Sequence, residues 1–463
     1  MNTRRDFIRK TLAGSAFLVA GGIPEGITAI YGGKKNRLNE KIRIIIETDA
    51  GGDPDDEQSL VRFLLYANVF DIEGIIANRK VARPKENKNP VRDGLGIVRA
   101  MVNAYGQCYP NLLMHDKGYP APEHLMKCTV PGYDDTDDGV NLIINSVDAP
   151  DLRPVWFCNW GTDDGSSPSC MRRALDSILK ERGQEGYAKF KNHIRLSSAD
   201  KFGDHTTIIE PPFPLWVDTW RPPVENKRWY HRFSPITAKA GGFDIERDVR
   251  TGHGPLGPLY PLNTNYPQKE GDTMSFLYLV PTGMNDPYEP GWGSWVGRYG
   301  LNTEEHAGKN YYWANQGDTW NGTTNRDNML ARWAEAFQND FRVRMDWCVK
   351  TYNETNHHPV AVLNGYPESG IIHVRAKPGK EIRLNAGKSY DPGGRKLSPK
   401  WFIYKEAGTC KDDITLTSPD TLATSFIAPD GGKPETIHII LELRNDGEPA
   451  LYSYRRVIVT VKG

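Results

Sequence analysis

Ile42-Arg43-Ile44-Ile45-Ile46-Glu47-Thr48-Asp49-Ala50-Gly51-Gly52-Asp53-Pro54-Asp55-Asp56 joins an apolar run to a loop of glycine, proline and carboxylates. The run 42–46 reads as a buried strand. Residues 55–67 follow with Leu60, Phe63, Leu64 and Ala67 at the spacing of a helix packed by one face. Asp55 and Asp56 stand at its start, where side-chain oxygens can cap free amides and the helix dipole favours negative charge. A second strand, Ile72-Glu73-Gly74-Ile75-Ile76-Ala77, completes a β-loop-α-β opening, the unit of a parallel sheet.

The pattern recurs further along. Arg153-Pro154-Val155-Trp156-Phe157-Cys158 reads as a strand, followed by a Gly/Ser/Asp-rich loop and a helix over 170–182. Ser275-Phe276-Leu277-Tyr278-Leu279-Val280 is a further strand candidate. Between them, residues 197–271 are dense in Pro, Gly and Trp without clean periodicity, as expected of long loops that wall a pocket. Leu330, Trp333, Phe337, Phe341 and Met345 then recur at spacings of three and four within 326–352, predicting a long amphipathic helix whose stripe belongs to the core. After Asn356-His357-His358-Pro359 the composition shifts to short β-rich runs at 371–374, 382–384, 401–404, 437–441 and 457–461, separated by turns such as Asp391-Pro392-Gly393-Gly394. That alternation predicts a small, immunoglobulin-like β-sandwich. The expected architecture is an α/β domain over 40–355, an open mostly parallel sheet flanked by helices, followed by an all-β domain over 360–463.

Lysine plus arginine equals aspartate plus glutamate at 58 each, so no overall field points to nucleic acid or to an anionic membrane. The opening Met1-Asn2-Thr3-Arg4-Arg5-Asp6-Phe7-Ile8 and the short Ala/Gly-rich apolar run after it follow the pattern of a twin-arginine export signal over 1–32. A periplasmic or extracellular protein, soluble once the signal is cleaved, is the expectation. Six cysteines, Cys108, Cys128, Cys158, Cys170, Cys348 and Cys410, lack CxxC spacing, which argues against a zinc site and leaves any disulfide pairing open. The sequence also leaves a homo-oligomeric state open.

Glu47, Asp49, Asp53, Asp55 and Asp56 place five carboxylates within ten residues at the carboxyl end of the first strand, the edge of an open α/β sheet where ligands sit. Like charge packed into a tight Gly/Pro loop calls for a compensating cation, and oxygen-only ligands indicate a hard ion such as calcium. The plainer alternative is a solvated acidic loop in which Asp55 and Asp56 cap the helix.

The loop resembles the Asp-x-Asp-Pro-Gly-x-Asp-Asp opening of nucleoside hydrolases, with extra residues between its aspartates. The likeness is closer to the exported, cellulose-binding-protein-like group of that family, carried by segments 48–65, 70–77, 153–161, 253–257, 271–299 and 333–347. It implies a calcium-dependent hydrolase of an N- or O-glycosyl bond, acting on a nucleoside or an oligosaccharide. Asp49 is then a calcium ligand and the general base, Asp56 a second ligand, and Asp286 the late aspartate that closes the metal site. Asp55, Asn78 and Asn159 are the implied sugar-binding residues. His253 and the Trp292/Trp295 pair are candidates for the leaving-group side. Such chemistry passes through an oxocarbenium-like state, needing an activated water on one face and help for the leaving group on the other. Two departures from the family pattern stand out. Asp53 competes with Asp55 and Asp56 for their roles, and Asn285 occupies the place where some members carry a histidine. The alternative function is a non-catalytic protein that binds a cellulose-like glycan on a hydrolase-like scaffold.

Overall fold

The computed structural model describes residues 27–30, 40–161, 166–197, 205, 211–219, 233–262, 267–367, 370–430 and 433–462. The predicted export signal lies outside them except for Ile27–Ile30, strand β1, which pairs antiparallel with Ile372–Ala376 of the C-terminal region. Residues 27–30, inside the stretch expected to be the signal, thus form an edge strand of the second domain's sheet.

The first domain is built on an eight-stranded sheet. In chain order its strands are β2 (Ile42–Thr48), β3 (Phe70–Ala77), β4 (Thr129–Pro131), β5 (Val155–Trp160), β6 (Ile194–Ser197), β7 (Trp216–Val217), β8 (Gly300–Leu301) and β9 (Tyr311–Trp313). Their spatial order is β4-β3-β2-β5-β6-β7-β9-β8, and every pairing is parallel except β8 with β9. Strand β2 is buried on both faces, as its unbroken Ile run requires. Ile44 and Ile46 point into a core shared with the helices Asp55–Leu65 (α1) and Gly94–His115 (α2). Ile45 points the other way, into a core shared with the helices Asp138–Asp148 and Cys170–Asn192. The period-two alternation of a strand therefore decides which helix layer each isoleucine meets. The chain steps from β2 out to β3 and β4, then returns to β5 on the other side of β2, so the order reverses at β2 and a crevice opens at its carboxyl end.

Most predicted elements form. The helix expected over 170–182 continues to Asn192 through a kink at Gly183, and the apolar stripe of Asn328–Trp347 is buried as expected. The strand expected at 275–280 does not form. Thr273–Leu277 is a helical turn, with Ser275 Oγ donating to Asp272 O at 2.7 Å and Trp160 Nε1 donating to Ser275 Oγ at 2.7 Å. All of these residues are buried, so the apolar run carries no period that would separate helix from strand.

After a hairpin of β10 (Asp318–Trp320) and β11 (Thr323–Asn325), the second domain contributes β12 (Ile372–Ala376), β13 (Glu381–Asn385), β14 (Leu397–Ile403), β15 (Ala423–Ile427), β16 (Glu435–Asn445) and β17 (Tyr452–Val461). A five-stranded sheet, β1-β12-β17-β16-β14, and the β13-β15 pair close over one apolar core containing Val374, Leu384, Trp401, Phe426 and Ile439. The two domains are not strung on a free linker. Tyr404, Ile440, Leu451 and Tyr454 join the core of the first domain, and Tyr404 donates its hydroxyl to Asp318 at 2.6 Å. The six cysteines are free and buried, and no helix among the described residues is long and apolar enough to cross a membrane.

Candidate functional site

The loop after β2 turns sharply because Gly51 adopts φ +97° and because Gly52 lies against Asp49, where a Cβ would sit 2.8 Å from the carboxylate. The turn folds the Asp49 carboxyl back over the sheet edge. Asp49 N donates to Trp160 O at 3.3 Å and to Asp56 Oδ1 at 3.1 Å, tying the end of β2 to β5 and to the first turn of α1. Asp55 and Asp56 are buried in that turn, yet they do not cap it. The residue before the helix, Pro54, makes no side-chain cap, and the Asp55 amide donates to Asp53 Oδ1 at 3.3 Å. The start of the helix instead turns two carboxylates inward beside a third, Asp272. Asp55, Asp56 and Asp272 place carboxylate oxygens within 4.8 Å of one another, all buried.

Two cations stand around this group. Arg79, one residue past Asn78, grips Asp49, with Nη2 close to Oδ2 and Nε at 3.1 Å from the same oxygen. Lys269 contacts Asp53 and lies 3.3 Å from Asp55. Burial raises the Asp49 carboxyl above its ordinary range, partly offset by Asp56 and Arg79. Asp56 is pushed much higher, first by burial and then by the charges of Asp49 and Asp272. Five carboxylates thus converge on two cations, and the like charge around Asp56 is only partly balanced. A divalent cation would balance it. The donor set is all oxygen, buried and preassembled, which fits a hard ion such as calcium rather than a soft one.

Asp272 was not foreseen. It closes a polar stretch, Gln268-Lys269-Glu270-Gly271-Asp272, at the end of the region without periodicity. Glu270 holds a left-handed φ of 44°, uncommon for a residue with a side chain. It is held there by Arg62, which donates Nε to its carboxylate at 2.6 Å, by Tyr260 at 2.7 Å and by Gln268 at 3.0 Å. Gln58 Oε1 meanwhile accepts from the Lys269 and Glu270 amides at 2.7 and 3.1 Å. This buried scaffold aims Lys269 and Asp272 at the start of α1. The available signal was a run of charged residues directly before a buried apolar segment.

The other candidates divide. Asn78 directly follows β3 beside the acidic loop, donating Nδ2 to Glu47 at 2.9 Å while its buried Oδ1 has no hydrogen-bond partner. Glu47 faces away from the aspartates, toward Ser169 and the Cys170 amide. Asn159 lies on β5 in register with Glu47, one residue before the carbonyl that holds Asp49. Asp286 does not join the cluster. Its Oδ1 accepts from the Tyr288 amide at 2.9 Å, and its charge acts on Arg456 and His373 at the seam with the second domain. Asp272, directly before the helical turn 273–277, is instead the residue that meets Asp55 and Asp56. Asn285 braces its own loop, bonding Thr282 and Tyr278 O.

His253 and the tryptophans are also placed elsewhere. His253 Nε2 lies 3.3 Å from Asp346, near the end of the long helix Asn328–Trp347. That helix meets the far end of α1, where Arg344 donates to Leu65 O at 2.7 Å, whereas the aspartates stand at its first turn. Trp292 packs edge-on against His438 at 5.3 Å, and Trp295 is buried near Phe337, so both serve packing at the domain seam.

A family profile described as the cellulose-binding Sde182, nucleoside hydrolase-like domain matches residues 43–299. A second, the C-terminal domain of cellulose-binding protein Sde0182, matches 381–461. No match was found among curated proteins. A solved structure from Saccharophagus degradans, described as a nucleoside hydrolase-related hypothetical protein associated with carbohydrate metabolism, is 31% identical, with a TM-score of 0.71 over 91% of this chain and 100% of its own. A PKD domain from KIAA 1837 protein aligns with 19% of this chain and 78% of its own at 20% identity, and with a TM-score of 0.15 it carries no weight.

Proposed function

This chain belongs to the cellulose-binding Sde182, nucleoside hydrolase-like family, and from that premise we propose that it hydrolyses a glycosyl bond of a carbohydrate fragment or nucleoside with the help of calcium. The observation that carries the reading is the convergence of Asp55, Asp56 and Asp272 within 4.8 Å at the mouth of the parallel sheet. These three side chains would hold the ion, with Asp49 beside them. When bound, the cation supplies positive charge that orients a water and lowers its pKa. Asp49 is the proton acceptor in this reading. Arg79 fixes its carboxylate and the Trp160 carbonyl fixes its backbone, so its position does not depend on loop motion. Asn78 offers a buried amide oxygen with no internal partner for a sugar hydroxyl. Release of free sugar from a panel of nucleosides and oligosaccharides in calcium, lost on Asp49→Ala, is the expected result. No turnover across the panel by the folded, calcium-loaded protein refutes it.

One observation favours a second reading, a carbohydrate-binding protein without turnover. Arg79 already occupies the Asp49 carboxylate, and a base held in an ion pair is a weaker proton acceptor. Glycan binding that survives Asp49→Ala, with no sugar released by the parent protein, would establish that reading.

A further inference from the structure

Glu47 is a carboxylate that the metal and the proton transfer leave unused. It lies on β2 two residues before Asp49, is 0% exposed, and meets no cation among the described residues. Three donors hold it instead. Its Oε1 accepts from the Cys170 amide at 2.7 Å and from Asn78 Nδ2 at 2.9 Å, and its Oε2 accepts from the Ser169 hydroxyl at 2.8 Å. Ser169 caps the helix Cys170–Asn192, so two of these donors belong to a helix N-terminus, where a carboxylate is favoured. The third comes from the residue after β3, at the sheet edge where the acidic loop also stands.

Turning the Asn78 amide over would exchange its donor for its acceptor, and only one orientation fits here. Glu47 Oε1 and Pro168 O, the latter 3.4 Å from Nδ2, are both acceptors, so the NH2 group faces them and Oδ1 faces away. The backbone of Asn78 is fixed as well, its amide donating to Thr48 O at 2.9 Å and its carbonyl accepting from Ser167 N at 3.4 Å. Oδ1 is thereby left buried with no hydrogen-bond partner in the chain. An unpaired buried acceptor is costly, and a ligand hydroxyl removes that cost. The lock does not depend on the charge of Glu47. With a proton on Oε2 the Ser169 hydroxyl turns to accept it, and Oε1 still takes the Cys170 and Asn78 donors.

We infer that Glu47 is a positioning residue: it locks the Asn78 amide with the oxygen free, so that the crevice selects a sugar carrying a hydroxyl at that place over the same sugar without it. The inference rests on the reading that the crevice at the carboxyl end of β2 takes a sugar, and it adds the group recognised, a hydroxyl donor rather than an ether or acetyl oxygen. A site built to bond a hydroxyl rejects an analogue lacking it far more strongly than an apolar pocket rejects a missing methylene.

The test is calorimetric titration of the full chain, in calcium, with D-ribose, D-glucose and the monodeoxy forms of each. The parent is expected to bind at least one of the two sugars and to lose about tenfold or more in affinity when one particular hydroxyl is missing. Glu47→Leu, which frees the amide to turn, and Asn78→Ala, which removes it, are both expected to erase that preference. Glu47→Gln is expected to rescue it, because the glutamine oxygen can accept from Asn78 and Cys170 while its NH2 group faces the Ser169 hydroxyl. A purely structural loss would weaken the sugar and its deoxy form alike and leave their ratio unchanged. Thermal melts identify the folded variants, and Glu47→Gln with Asn78→Ala decides the matter if Glu47→Leu is unfolded. Equal binding of every deoxy form by the parent, a folded Glu47→Leu or Asn78→Ala that keeps the preference, or a Glu47→Gln that loses it would overturn the role of Glu47 and leave sugar binding standing. Failure of the folded, calcium-loaded parent to bind either sugar would overturn it together with the reading on which it rests.

Discussion

Acidification should loosen the seam between the two domains through His438. This imidazole is 2% exposed, its Nδ1 accepts from Arg456 Nη1 at 2.7 Å, and Arg456 in turn donates to Met284 O and Trp292 O across the seam. Protonation would replace the acceptor with a second cation facing the guanidinium. Burial, then Arg456 and His373, hold the His438 pKa down at about 3. Above pH ~6.5, the ordinary value for histidine, folded and unfolded forms are both neutral and the contribution is complete. As pH falls below that value the unfolded chain takes up a proton that the folded chain refuses, and stability drains away until the folded pKa is reached. At pH 5 the loss spans about 1.5 pH units at about 1.36 kcal/mol each, roughly 2 kcal/mol from this one residue. In His438→Asn the amide oxygen can stand in for Nδ1 without titrating. Urea unfolding followed by tryptophan fluorescence at pH 7.5 and pH 5.0 should show the parent losing about 2 kcal/mol more than the variant on acidification. His357, held at about 4 chiefly by burial, is present in both proteins and cancels in the comparison. Equal losses in parent and variant would show that His438 is not excluded from protonation, and the account of the seam would fail.

Calcium at a hundredfold excess over its dissociation constant should stabilise the parent by about 2.7 kcal/mol, and Asp272→Asn should abolish most of that gain in paired melts with and without the ion. A variant that is stabilised as the parent is would remove Asp272 from the site. Arg62→Met strands the buried Glu270 carboxylate, since the Arg62–Glu270 pair is fully buried, and a loss of about 3–5 kcal/mol is expected in denaturant titrations. A loss below about 1 kcal/mol would mean that the scaffold aiming Lys269 and Asp272 is held by other contacts. Gly52→Ala puts a Cβ 2.8 Å from Asp49 Oδ2 and should lower sugar release while leaving far-ultraviolet circular dichroism unchanged; full activity in that variant would separate Asp49 from the reaction.

The local chemistry of the chain determined its elements. An Ile run bounded by Gly, Pro and Asp reads as a buried strand ending in a turn, and apolar spacings of three and four made the long helix legible from Leu330 to Met345. The acidic loop was visible for the same reason, because its residues are consecutive. Tertiary structure alone decided which distant groups meet that loop. Asp272 rather than Asp286 arrives there, directly before residues 273–277, which coil into a fully buried helical turn whose sequence carries no period to reveal it. Arg79 and Lys269 balance carboxylates 30 and 216 residues away in the chain, and no local pattern encodes which cation reaches which acid. His253, Trp292 and Trp295 looked like site residues by type, yet side-chain type does not say at which end of a helix, or in which domain seam, a group is buried. Sequence periodicity reports the neighbours of a residue along one element, whereas a site is made by elements whose order in space is settled only when the sheet and its helices pack.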